Sequence, residues 1–168
     1  GKQIAAKEVT LISSPLSEEL VDGYRSTADG YIAKNMPLIE NGELKNFIVS
    51  RYGAARTGLK RSDSDGGCYI MNGGDTSLSD IIKNTKKGLL MNRFSAGSPG
   101  VNGDVTGVAK NSFLIENGQI VGAVSETMFS GNLTEMLMNV KAISSERIND
   151  GSCILPWVDF GGVTVSGK

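Results

Sequence analysis

Apolar and polar residues alternate in short runs along the chain, and glycine interrupts those runs far more often than proline does. Val9-Thr10-Leu11-Ile12 is rich in β-branched residues and predicts a strand within 6–13. Residues 14–36 are polar and mixed, with a turn signal at Ala28-Asp29-Gly30 and a candidate strand start at Ile32. A hairpin follows: Met36 to Glu40, the turn Asn41-Gly42, then Glu43 to Val49. Asn-Gly between apolar runs predicts a two-residue type I′ turn, because that turn needs positive φ at both central positions. The same signal returns as Ser112 to Glu116, Asn117-Gly118, and Gln119 to Val124. Leu38-Ile39-Glu40-Asn41-Gly42 thus recurs as Leu114-Ile115-Glu116-Asn117-Gly118, with flanks that do not repeat, so duplication and chance recurrence both fit.

Helical spacing is scarcer. Ser50 to Gly58 predicts a short helix with Tyr52, Ala55 and Leu59 on one face and Gly58 as its C-cap. Thr76 or Ser77 opens a second helix near 77–87, with Asp80 in its first turn, Lys83, Lys86 and Lys87 toward its end, and Gly88 as terminator. Gly131-Asn132 precedes a third near 132–142, in which Leu133, Met136, Leu137 and Val140 share a face. Between these lie a polar, flexible stretch at 60–75 and a long glycine-rich loop from Ser95 to Gly107. Cys68 to Met71, Leu89 to Phe94, Cys153 to Leu155 and Val163 to Val165 complete the expected strands.

Composition changes this picture at three points. Glycine makes up 22 of 168 residues, well above the usual share, which fits many tight turns between short strands. A net charge of -1 gives no electrostatic footprint for nucleic acid or an anionic membrane. There is no histidine, so Ser-His-Asp or Cys-His nucleophile pairs and histidine-based metal sites cannot be built from this chain alone. Two cysteines are too few for a disulfide framework and suit a reducing, cytoplasmic setting; one bridge and two free thiols both fit. No apolar run is long enough to span a bilayer.

None of the motifs carries a reaction. Glycines 97, 100, 103 and 107 lack the Gly-Lys-Ser/Thr ending and the helix of a phosphate loop. Asp63 and Asp65 read as solvated, the lysines at 83, 86 and 87 as a helix-end face, and Met128, Met136 and Met138 as packing. Cys153 in its apolar setting and Cys68 after a flexible Gly-Gly both read as structural cysteines, with Cys153 as nucleophile an alternative that alkylation would test.

A set of segments nevertheless points further. Leu38 to Phe47, Gly74-Asp75-Thr76-Ser77-Leu78 leading to Lys87-Gly88-Leu89-Leu90, and Gly100-Val101-Asn102-Gly103-Asp104 come first. Phe113 to Gly118 and Ser130-Gly131-Asn132-Leu133 with Met136-Leu137 follow in order. Together they resemble the C-terminal domain of the TldD/PmbA family, whose members are often labelled modulators of DNA gyrase and are related to zinc metallopeptidases. The resemblance runs from about Ile4 to Gly167, and Asn132 and Asn102 place it nearer the PmbA (TldE-like) branch. It implies a single domain over 1–168 from a longer protein, in keeping with a start at Gly1-Lys2-Gln3. It also implies that a catalytic partner supplies zinc through a HExxxH helix, and that this chain holds no cofactor of its own. The active branch uses a cysteine near its C-terminus as third zinc ligand; Cys153 lies a residue or two late, so it stays a candidate and the role is not carried over. Asn102, Gly103 and Asp104 are candidate substrate or partner contacts, in a loop shorter than its relatives'.

The expected fold is α+β and β-rich: antiparallel hairpins in a curved or barrel-like sheet with two main packed helices. The expected function is a region of a PmbA/TldE-like subunit in a cytoplasmic bacterial peptidase complex. It would pair with a TldD-like subunit or a second copy, act on peptide or unfolded protein, and contact neither nucleic acid nor membrane. The alternative is a non-proteolytic interaction module for gyrase or toxin-antitoxin partners. Whether the chain is itself an enzyme stays open.

Overall fold

The computed structural model describes residues 1–167. Its first elements are β1 (Leu11–Ser13), β2 (Met36–Glu40), β3 (Glu43–Leu44), α1 (Arg51–Thr57) and β4 (Tyr69–Met71). There follow α2 (Leu78–Asn84), β5 (Lys87–Ala96), β6 (Asp104–Glu116), β7 (Gln119–Ala123) and β8 (Met128–Asn132). The chain closes with α3 (Leu133–Met138), β9 (Val140–Asn149), β10 (Ile154–Phe160) and β11 (Thr164–Ser166). It falls into two compact units: residues 1–74 with 146–157, and residues 75–145 with the described residues from 158 onward. The fold is mixed α+β and strand-rich. Its strands form two open sheets, ordered β3-β2-β1-β4-β10-β9 and β11-β8-β6-β5, with β7 also on β6. Each sheet ends in unpaired edges, so the barrel-like body expected from the hairpins is not what they build. No described helix is long and apolar enough to cross a membrane.

Both Asn-Gly turns form as the sequence predicts. Asn41 and Gly42 have φ of 50° and 78°, and Asn117 and Gly118 have 49° and 79°. The strands pair in the two-residue register, Glu40 opposite Glu43 and Glu116 opposite Gln119. Each turn is also clamped from outside by backbone. The Gly42 amide donates to the Val9 carbonyl at 2.8 Å, and the Gly118 amide donates to the Thr85 carbonyl at 2.9 Å. A Cβ on Gly118 would lie 2.5 Å from the Lys83 carbonyl oxygen, so glycine is required there by contact as well as by φ.

The helices are shorter than their patterns. α2 begins as expected, with Ser77 capping the Asp80 amide, but ends at Asn84 with Thr85 as C-cap. Gly88 is a strand residue opposite Ile115, not a terminator. α3 is capped by Asn132, whose side-chain oxygen accepts from the Thr134 and Glu135 amides, and it ends at Met138 because β9 takes the chain from Val140. None of the three helices holds a fully buried residue. The expected loop from Ser95 to Gly107 is strand at both ends: β5 and β6 pair as far as Ala96 and Gly107, leaving 97–103 as the tip. β10 runs parallel to β4, with Ile154 opposite Ile70.

In the first unit Leu20, Cys68 and Ile154 form a buried cluster backed by Tyr24 and Ile70. In the second, Ala109, Ile115, Phe129 and Ile143 are buried, and Phe94 meets Phe129 edge-on with ring centroids 5.5 Å apart.

Candidate functional site

The three residues singled out for contact, Asn102, Gly103 and Asp104, come together around a fourth, Asn132. The Asn132 side-chain amide donates to the Asn102 carbonyl and to Asp104 Oδ1, each at 2.9 Å. Asn102 Nδ2 donates to the other Asp104 oxygen at 2.6 Å, and the Asp104 amide donates back to Asn102 Oδ1. Gly103 turns with φ of 90°, and its carbonyl accepts the Leu133 amide at 2.8 Å. One side chain therefore caps α3 with its oxygen and holds the β5–β6 tip with its nitrogen. The Asp104 and Asn132 backbones are opposite each other in the β6–β8 ladder, which brings distant residues into reach. Val101 projects from the tip fully exposed. In sequence, Asn132 was read only as preceding a helix; nothing in it announced the attachment to the tip.

Cys153 lies in a different unit, at the end of the turn from Asp150. Asp150 Oδ1 accepts from the Ser152 amide, the Ser152 hydroxyl and the Cys153 amide at 2.8–2.9 Å. These donors, the Cys153 amide foremost, hold the Asp150 carboxyl below the usual carboxylate range. The Cys153 sulfur is half-buried and accepts a weak bond from the Ser152 hydroxyl. Cys68 is buried, donates its thiol to the Asp22 carbonyl at 3.3 Å, and is pushed up in pKa by burial, with smaller contributions from Asp22 and Cys153. Both cysteines are free.

These donors do not fit zinc. The chain holds no histidine, and the Asp150 oxygen nearest the Cys153 amide is already committed to three hydrogen bonds. Among the described residues no three His, Cys, Asp or Glu side chains are grouped to hold a metal ion.

The 60–75 stretch, expected to be flexible, is stapled by a hydroxyl network. Ser64 is fully buried; its hydroxyl meets Ser13 Oγ at 2.6 Å and the Tyr24 hydroxyl at 2.9 Å, and accepts the Gly66 amide at 3.0 Å. Tyr24 in turn donates to the Gly66 carbonyl and accepts the Asp65 amide. Ser62 bonds both the amide and the carbonyl of Val49 at 3.1 Å, closing the neck of the segment that carries α1. A cavity of about 330 Å³ lies beside that neck, lined by Met36, Phe47, Val49 and Leu59 with Lys60 and Asp63. Serines in a polar run give no sequence sign of which one is buried, so this network was not legible.

Comparison with known proteins follows from that geometry. The chain is 28% identical over 173 residues to the metalloprotease PmbA of Escherichia coli O157:H7, covering 96% of this chain and 38% of that protein. It is 26% identical to a candidate modulator of DNA gyrase from Bacteroides thetaiotaomicron, whose structure superposes with a TM-score of 0.88 over 99% of this chain and 38% of the other. It is also 26% identical to TldE from Thermococcus kodakarensis, with a TM-score of 0.82 over 99% of this chain and 41% of that one. The chain thus spans well under half the length of each of these relatives. Residues 1–167 match the family model described as the PmbA/TldA metallopeptidase C-terminal domain, and the chain belongs to the PmbA/TldD family.

Proposed function

We propose that this chain is the C-terminal region of a TldE-like, non-catalytic subunit in a peptidase complex. The observation that supports this most directly is the likeness to TldE from Thermococcus kodakarensis over 99% of this chain; these 168 residues themselves bring no histidine to a zinc site. A zinc site needs imidazole or thiolate donors in convergent positions, and here the one half-buried thiol stands apart from any such set. A partner subunit would therefore supply the zinc and the hydrolytic water, and this region would shape the path of an unfolded peptide. The tip at Asn102, Gly103 and Asp104, fixed by Asn132 and bearing exposed Val101, is the contact we assign to substrate or partner. Resemblance to TldE from Thermococcus kodakarensis supports the subunit reading.

The test is reconstitution. The full-length protein is purified alone and with a HExxxH-bearing family partner, zinc is measured by mass spectrometry, and cleavage of unfolded casein is followed. The expected result is zinc and cleavage only with the partner present. Stoichiometric zinc and casein cleavage by the protein alone would overturn the reading.

A further inference from the structure

We propose that the excursion formed by residues 45–61 is a docking surface for an acidic protein segment that carries an apolar anchor. This assignment stands on the surface itself and does not depend on the peptidase reading.

The segment leaves β3, runs through α1 and returns to Ser62, and it is exposed almost throughout. The pattern Tyr52, Ala55, Leu59 looks like a core-facing stripe, yet no residue of α1 is buried. Tyr52 is 73% exposed and Phe47 61%, with Ile48 and Leu59 also open. Four large apolar side chains within thirteen residues exceed the scattered singles of an ordinary surface.

Charge identifies the occupant. Residues 45–61 carry Lys45, Arg51, Arg56, Lys60 and Arg61 and not one acidic residue, in a chain whose net charge is -1. Lys45 is paired with Glu43 and Glu40, and Arg61 lies 3.7 Å from Asp29. Among the described residues, the charged side-chain groups of Arg51, Arg56 and Lys60 have no carboxylate oxygen within 4.0 Å. Three unneutralised cations beside open aromatic and aliphatic groups suit carboxylates flanking an apolar side chain. The cavity beside Phe47 and Leu59 gives that side chain a seat.

The surface is also held in shape before anything binds. Ser50 caps the Gly53 amide, Gly58 closes α1 with φ of 72°, and Ser62 pins Val49 on both its amide and its carbonyl. The Arg51 amide donates to Asp29, and the Arg61 guanidinium stacks 3.9 Å above the Tyr31 ring. A fixed platform loses less entropy on binding than a loose loop.

Fluorescence anisotropy on the 168-residue chain tests this with three labelled probes. They are a short peptide of glutamates around a central leucine, the same peptide with lysines, and a single-stranded DNA oligonucleotide. The glutamate peptide should bind, and weaken with added salt. The pair R56E and K60E should weaken it roughly tenfold, and F47S roughly fivefold. The pair K2E and K7E, carrying the same charge change elsewhere, should leave binding unaltered. These side chains are exposed, so far-ultraviolet circular dichroism should match the parent for every variant. Equal binding of the lysine peptide, tighter binding of DNA, or equal loss in the K2E/K7E pair would each overturn the proposal. So would a dimer in sedimentation that Y52S dissolves, which would give the surface to a second copy.

Discussion

Glycine is the residue on which this fold depends most, but for different reasons at different sites. Gly30 has φ of 84° with open space where a Cβ would go, whereas Gly118 has φ of 79° and the Lys83 carbonyl oxygen in that place. The left-handed conformation alone costs an alanine about 1 kcal/mol. G30A should therefore lower stability by about that amount, and G118A by clearly more, about 3 kcal/mol, because the α2 end must also move. Urea denaturation of the two variants measures the difference. Asp150 makes a second residue-scale argument. Its carboxyl is held below the usual range by donors in its own turn, so the folded state binds its proton less readily than the unfolded state. The resulting stabilisation is present above the ordinary carboxylate pKa and disappears as pH falls through the depressed folded value. The melting temperature of D150A should accordingly fall below the parent's at neutral pH and converge on it in acid. Asp150 gave no such sign in sequence.

At the scale of elements, the two Asn-Gly hairpins were legible because a type I′ turn is a local matter of φ, and two residues settle it. The N-cap at Ser77 and the C-cap at Gly58 were legible for the same reason. Strand extents were not. β8 and β9 do not follow the period of two that betrays a half-buried strand, and Ser145 to Asn149 in β9 is exposed and, apart from Ile148, polar. Those segments are strands because neighbours complete their backbone hydrogen bonds, which is a tertiary fact. Asn132 shows how elements are tied together. N132A removes both the α3 cap and the two bonds to the β5–β6 tip, and should cost about 2 kcal/mol. N132D keeps the capping oxygen, loses both donated bonds and sets a carboxylate against Asp104. Hydrogen exchange separates the two contributions: the Gly103 and Asp104 amides should exchange faster in both variants, and the Glu135 amide only in N132A.

For the whole molecule, the chain belongs to the PmbA/TldD family, holds no histidine, and among its described residues groups no three His, Cys, Asp or Glu side chains that could hold a metal ion. Small metal-dependent domains unfold when chelated. This one has buried apolar clusters and a hydroxyl network instead, so its melting temperature should be unchanged by EDTA or phenanthroline, as differential scanning fluorimetry would show. A chelator-induced drop would mean that a metal contributes to folding after all. The sequence by itself determined the fold class, both tight turns, the caps at Ser77 and Gly58, the family and the absence of imidazole chemistry. Each of these is a property of residue identity or of contacts a few positions apart. Only tertiary structure decided that the sheets stay open, that Ile154 pairs in parallel with Ile70, that Ser64 is buried, and that the Tyr52 face of α1 is left bare. Those outcomes depend on which segments, far apart in the chain, exclude water from one another, and amphipathic spacing is the same whether a face finds its partner or not.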